Sequence, residues 1–116
     1  MPVRSLSSSV LKWPDAAAID ASLRIWAEKA RSRRSDLLRV GYIGSYARGD
    51  AGVGSDLDVV LVLEQSAEPF EKRGVGWDTT DLPVQADLLV YTRAEFEAIP
   101  ADTRFGRVLR EEAVWL

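Results

Sequence analysis

The sequence predicts an α/β domain, a small mixed sheet flanked by helices that pack mainly on one face. Three observations carry that expectation. Residues 57–63 (LDVVLVL) are almost continuously apolar, which places this strand in the middle of a sheet. Two more apolar runs, LLRVGYI at 37–43 and VQADLLVYT at 84–92, supply its neighbours. Ile19, Leu23, Trp26 and Ala30 recur at helical spacing, so a helix with one apolar stripe precedes the first strand and runs to about residue 34.

Along the chain, residues 1–12 are polar, with Ser7, Ser8 and Ser9 in a row, and are expected to form a flexible N-terminal segment; residues 13–116 then make a single domain. Asp15, after Pro14, is placed to cap the first helix. That helix carries Arg24, Lys29, Arg31, Arg33 and Arg34 off its apolar stripe, and its basic end reads as a solvated last turn favoured by the helix dipole rather than a binding patch. Gly44 ends the first strand. The polar stretch at 64–74 (EQSAEPFEKRG) has room for a short helix, and Lys72 and Arg73 read as ordinary charged loop residues. WDTTDLP at 77–83 is rich in turn formers. Arg93–Ile99 suits a short helix capped by Thr92, and the tail RFGRVLREEAVWL suits a helix and a short closing strand. Trp26 and Trp115 read as core residues, while Trp77, beside a polar turn, fits either core packing or ligand stacking.

Composition bounds the chemistry. At 116 residues the chain is sized for one hydrophobic core, and 47% apolar with 28% charged residues is an ordinary globular balance. A net charge of −3 gives no strong nucleic-acid signature, although basic residues cluster locally. With no cysteine, disulfides and thiolate metal sites are excluded; with no histidine, the usual zinc ligand and the usual general base are absent. Any metal must be held by oxygen, which favours magnesium or manganese. No apolar run approaches the roughly 18 residues of a membrane span, and the serine-rich start lacks a signal-peptide core, so a cytoplasmic protein with no membrane association is expected.

The stretch at 44–58, GSYARGDAGVGSDLD, holds the chemistry. Gly44 and Gly49 have the glycine spacing of a P-loop, but Asp50 and Ala51 stand where lysine and serine or threonine are needed. Gly49, Gly52 and Gly54 have the wrong order of gaps for a dinucleotide fingerprint. Asp56 and Asp58, two residues apart at a strand entrance, face the same way about 6.5–7 Å apart along the chain. They can converge on one or two cations, since paired catalytic metals sit about 3.5–4 Å apart. Asp87 is a third carboxylate inside an apolar strand, where a charge ordinarily has a partner or a function. The backbone N–H groups at Gly44–Ser45 and the Ser45 hydroxyl can hold phosphate oxygens. Arg48 either offers phosphate a guanidinium fork or makes a surface bridge to Asp50.

This stretch resembles the signature of the nucleotidyltransferase fold shared with DNA polymerase beta: Gly-Ser, about ten residues, then Asp-x-Asp. Arg48-Gly49, Ser55-Asp56 and the later Asp87 make it similar to the minimal nucleotidyltransferases, small bacterial and archaeal proteins often encoded beside a helical HEPN-class partner. The resemblance implies a palm-like fold and transfer of a nucleoside monophosphate, AMP from ATP, to an acceptor hydroxyl. It implies two magnesium (or manganese) ions bound by Asp56 and Asp58, with Asp87 on the catalytic ion and assisting deprotonation of the acceptor. It implies nucleotide contacts at Gly44, Ser45, Arg48 and Ser55. The chain departs from larger relatives in that no substrate-binding domain follows the third strand. Acceptor positioning is therefore expected to come from a protein partner, with a partner tyrosine or serine as acceptor. The alternative is an antitoxin-like binding module that neutralises a HEPN-type partner without catalysis.

Overall fold

The computed structural model describes residues 14–116; the N-terminal segment expected over residues 1–12 lies outside the described residues. Helix α1 (Ala16–Arg33) starts where Asp15 Oδ1 accepts the Ala18 N–H at 2.9 Å, the cap expected of this aspartate. Strand β1 (Leu37–Ile43) follows, then a single helical turn, α2 (Ser45–Arg48), that was not anticipated. Strand β2 (Leu57–Leu63), a 3₁₀ turn (Phe70–Lys72) and strand β3 (Ala86–Thr92) come next. Helix α3 (Arg93–Glu97) opens on a full capping box between Thr92 and Glu95. Helix α4 (Arg104–Arg107) widens over Val108–Glu112, where the Ala113 N–H reaches back five residues to Val108 O at 2.9 Å, before β4 (Val114–Trp115).

The sheet has the order β3-β2-β1-β4, with β1 antiparallel to β2 and β4, and β2 parallel to β3. It is the mixed sheet expected, with LDVVLVL at its interior. The helices, however, cover both faces rather than mainly one. On the first face Leu57, Val59 and Leu61 of β2 pack with Val40 and Tyr42 of β1 against Ile19, Leu23 and Trp26 of α1. On the second, Val60 and Ile43 pack against Leu109, Phe96, Phe105 and Trp115 from the C-terminal segment. An interior strand buried on both sides needs apolar residues at successive positions, which is why β2 lacks alternation. The tail elements individually were too short to reveal that they form a layer.

A few polar ties fix these layers. Tyr42 donates its hydroxyl to Asp20 Oδ2 at 2.8 Å, joining β1 to α1; burial, then the Asp20 carboxylate, pushes the phenol up to about 12. Trp26 Nε1 donates to Asp78 O at 2.8 Å and anchors the segment before β3 to the same helix. Arg73 is not the solvated loop residue expected: its side chain is only 8% exposed. It donates to both Glu95 carboxylate oxygens, to Val90 O at 3.1 Å and to Glu68 O at 2.8 Å. The Arg73 hydrogen bonds, and next the Thr92 backbone N–H, hold Glu95 down to about 2 from its ordinary 4.5.

Because the Glu95 carboxyl is lowered by folding, its contribution is fully present above about pH 4.5 and is lost as pH falls through about 2. Arg73→Met is expected to lower stability at pH 7 by about 1 kcal/mol or somewhat more, a charge-assisted value discounted for solvent around the exposed Glu95. It should also flatten the acid limb. Thermal melts of both proteins between pH 7 and 2.5 check this; parallel curves would show that the clamp does not govern Glu95.

Candidate active site

Strand geometry brings the aspartates together. Residues two apart in a strand share a face, so Asp58 lies on the side of Val60, and Asp87 on the side of Leu89 and Tyr91. Parallel pairing sets Asp58 directly beside Asp87 in register, on strands about 4.8 Å apart, and antiparallel pairing sets Ile43 on its other flank. Asp56 stands exposed just before β2. Burial first, then the charges of Asp87 and Asp56, push the Asp58 carboxyl above its ordinary value, and Arg48 offsets only part of this.

Gly44 makes room for that carboxylate. Its φ is +82°, a conformation that L side chains rarely adopt, and a Cβ there would lie 2.7 Å from Asp58 Oδ2. Glycine is thus required both by the backbone and by the neighbour. The chain then turns at once into α2, with the Arg48 N–H on Gly44 O and the Gly49 N–H on Ser45 O, both at 2.9 Å. Ser45 therefore begins a helical turn beside Asp58. Ser55 closes the following loop, its Oγ accepting the Gly52 N–H at 2.9 Å and its own N–H bonding Gly52 O at 3.0 Å. The Tyr46 hydroxyl donates to Ser55 O at 3.4 Å.

Arg48 does pair with Asp50, Nε to Oδ2 at 3.2 Å, and also reaches Glu112 Oε1 at 3.8 Å. It remains half exposed, facing a cavity of about 380 Å³ that Arg104, Arg107 and Glu111 also line. Sequence reasoning missed Arg104 and Arg107, because nothing local in the tail says that α4 returns to the first turn. Asp87, on the edge strand β3, also lines a cavity of about 280 Å³ with Glu71, Gly74, Val75 and Trp77.

Among the described residues no three acidic side chains are closed into a ready-made metal cage. The donor set nonetheless fits a hard divalent cation. It is all oxygen, and the Asp58 carboxyl is raised by burial and then by the charges of Asp87 and Asp56, a repulsion that a cation between Asp58 and Asp87 would relieve.

The profile of the nucleotidyltransferase domain matches residues 23–116. The chain belongs to this family. Its fold is similar to that of a protein from Sulfolobus solfataricus described as a candidate nucleotidyltransferase, with a TM-score of 0.56 and 21% identity over 90% of this chain and 89% of that one. No curated protein matches the chain. Nucleotidyltransferase domains transfer a nucleoside monophosphate and generally use divalent metals, so the resemblance seen in GSYARGDAGVGSDLD holds at the level of family and fold. No described helix of this nucleotidyltransferase is long and apolar enough to cross a membrane.

Two expectations follow. Asp58→Asn should raise the metal-free thermal midpoint, since it removes a charge crowded by two others. A carboxyl raised by folding makes wild-type stability rise as pH falls from the folded value toward the unfolded one, and the variant should lack that rise. Melts in chelator across pH 7 to 4 test it; a destabilised variant would show Asp58 to be a structural partner instead. Gly44→Ala should lose about 1–3 kcal/mol in denaturant titrations through backbone strain and the clash. Adding Asp58→Ala should recover only the part due to the clash.

Proposed function

We propose that this nucleotidyltransferase transfers AMP from ATP to a hydroxyl on a protein partner. The observation that carries the reading is the carboxylate of Asp58 seated against Gly44, in register with Asp87 and one turn of chain from Ser45 and Arg48.

Asp56, Asp58 and Asp87 would hold the divalent cations, two magnesium or manganese ions. When bound, these neutralise charge on the phosphates and acidify the acceptor hydroxyl. The chain's own residues do the rest. The Gly44–Ser45 turn offers backbone N–H groups and a hydroxyl to the phosphate chain. Arg48 leaves Asp50 and Glu112 to meet the pyrophosphate, with Ser55 keeping the loop in place. Asp87, on the far side of Asp58, takes the proton of the acceptor hydroxyl. The acceptor oxygen forms a bond to the α-phosphorus, the bond from that phosphorus to the bridging oxygen breaks, and pyrophosphate carries the electron pair away. The partner supplies positioning, which in well-oriented reactions amounts to about 7–11 kcal/mol. A HEPN-class protein in the same cytoplasm, with a tyrosine or serine as acceptor, fits this requirement.

The test is incubation with α-labelled ATP, magnesium and a HEPN-class protein encoded beside it, followed by mass mapping. Label should appear on one partner hydroxyl, and Asp87→Ala should cut its rate by at least about a hundredfold. Rapid labelling of small alcohols with no partner present would overturn the protein acceptor. Neutralisation of the partner with no added mass, unaffected by Asp56→Ala, would replace catalysis with an antitoxin-like binding role.

A further inference from the structure

The cavity beside Arg48 has a wall that the transfer chemistry has not yet used. Arg104, Arg107, Val108, Glu111 and Glu112 fall at helical spacing, so α4 and the widened turn after it present one face to Arg48. Phe105 and Leu109, off that face, pack in the second core layer. Charge is placed unevenly along the wall. Glu112, in its last turn, reaches Arg48 at 3.8 Å, while Asp50 holds the same guanidinium at 3.2 Å. Arg104 and Arg107, in its first turn, make no ion pair among the described residues, and neither does Glu111. Arg107 donates one N–H to Asp102 O at 2.8 Å, and Arg104 makes no side-chain hydrogen bond.

We propose that Arg104 and Arg107 bind the terminal phosphate of the nucleoside triphosphate and set a preference for triphosphates over diphosphates. The proposal rests on the transfer reading above, in which Arg48 meets the pyrophosphate. Summed charge does not select this occupant, because Glu111, Glu112 and the Asp50 partner of Arg48 balance the three arginines. Position selects it. The charge of Arg48 reaches Asp58, and the same side chain lines the cavity. A phosphate chain with its α-phosphorus at the aspartates and its next group at Arg48 is led toward the guanidinium groups that share that cavity. Those two arginines have N–H groups to spare, and a guanidinium fork matches phosphate oxygens. A carboxylate ligand would find the same forks, but nothing would join it to Asp58. The widened turn that completes the wall is of a kind frequent at functional sites.

MgATP and MgADP are titrated calorimetrically into the full chain, with magnesium tripolyphosphate as a probe that carries no nucleoside. Arg104→Ala with Arg107→Ala should weaken MgATP binding at least tenfold and MgADP binding at most twofold. Arg104→Ala alone, which breaks no side-chain hydrogen bond, should weaken MgATP several-fold with an unshifted thermal midpoint. Arg110→Ala removes an equal charge from the same segment, but Arg110 lines a different cavity with Phe96 and Ile99, and both affinities should stay unchanged. MgATP affinity in the double variant within twofold of wild type, or equal losses for MgATP and MgADP, overturns the assignment. If wild type binds no MgATP, or Asp58→Asn binds it equally well, the transfer reading falls by itself and tripolyphosphate decides the cavity. Tripolyphosphate binding lost in the double variant keeps the two arginines as a phosphate site; no binding, or binding that the variant leaves intact, overturns it.

Discussion

The contact between the Asp58 carboxylate and the backbone of Gly44 is the constraint on which the rest of the site depends. A carboxylate at the second position of an interior strand, beside another carboxylate in register, is unfavourable unless the neighbouring strand leaves space for it. Gly44 leaves that space by having no side chain, and its positive φ swings the chain directly into α2. One residue therefore admits the central acid and aims the turn that carries Ser45 and Arg48. The antiparallel register of β1 on β2, Ile43 opposite Asp58, brings Gly44 to the right height.

Strand β1 uses the same device a second time. A Cβ on Gly41 would lie 2.5 Å from the Trp115 ring, so the bare backbone at Gly41 is where Trp115 seats on the second face. Arg39 caps that ring with its guanidinium 4.0 Å away, and Phe96 meets it edge-on. The second face is thus divided. One part is sealed by Trp115, Leu109 and Phe96; the other stays open where Asp58 and Asp87 lie. The seal brings α4 close to α2, which is how Arg104 and Arg107 come to share a cavity with Arg48.

Charge is handled differently in the two regions. Away from the site the fold satisfies its interior charge, as in the fork of Arg73 on Glu95, and buries no unpartnered polar side chain among the described residues. At the site three carboxylates face one another with only a shared arginine in reach. Like charges crowded in this way are the arrangement that a bound cation would relieve. The two cavities differ in kind, with Arg104 and Arg107 beside Arg48 in one and Trp77 and Glu71 beside Asp87 in the other.

Local signals in the sequence determined much of this. The three principal strands, the long helix with its Asp15 cap, the Thr92-capped helix and the order Gly-Ser, Asp-x-Asp, Asp are all written in neighbouring residues, where periodicity, capping and turn chemistry act. What only the tertiary structure decided involves residues far apart in the chain. Helices cover both faces because the tail folds back over Val60, although each tail element is a few residues long. Arg73, which looked like one charge in a polar loop, became a buried clamp because Glu95, Val90 and Glu68 converge on it. Arg104 and Arg107 join Arg48, and Trp77 joins the end of α1, through packing that no local pattern encodes. Sequence spacing sets which way a side chain leaves its own strand or helix; which distant group it meets is set by strand order, register and the space that glycines leave open.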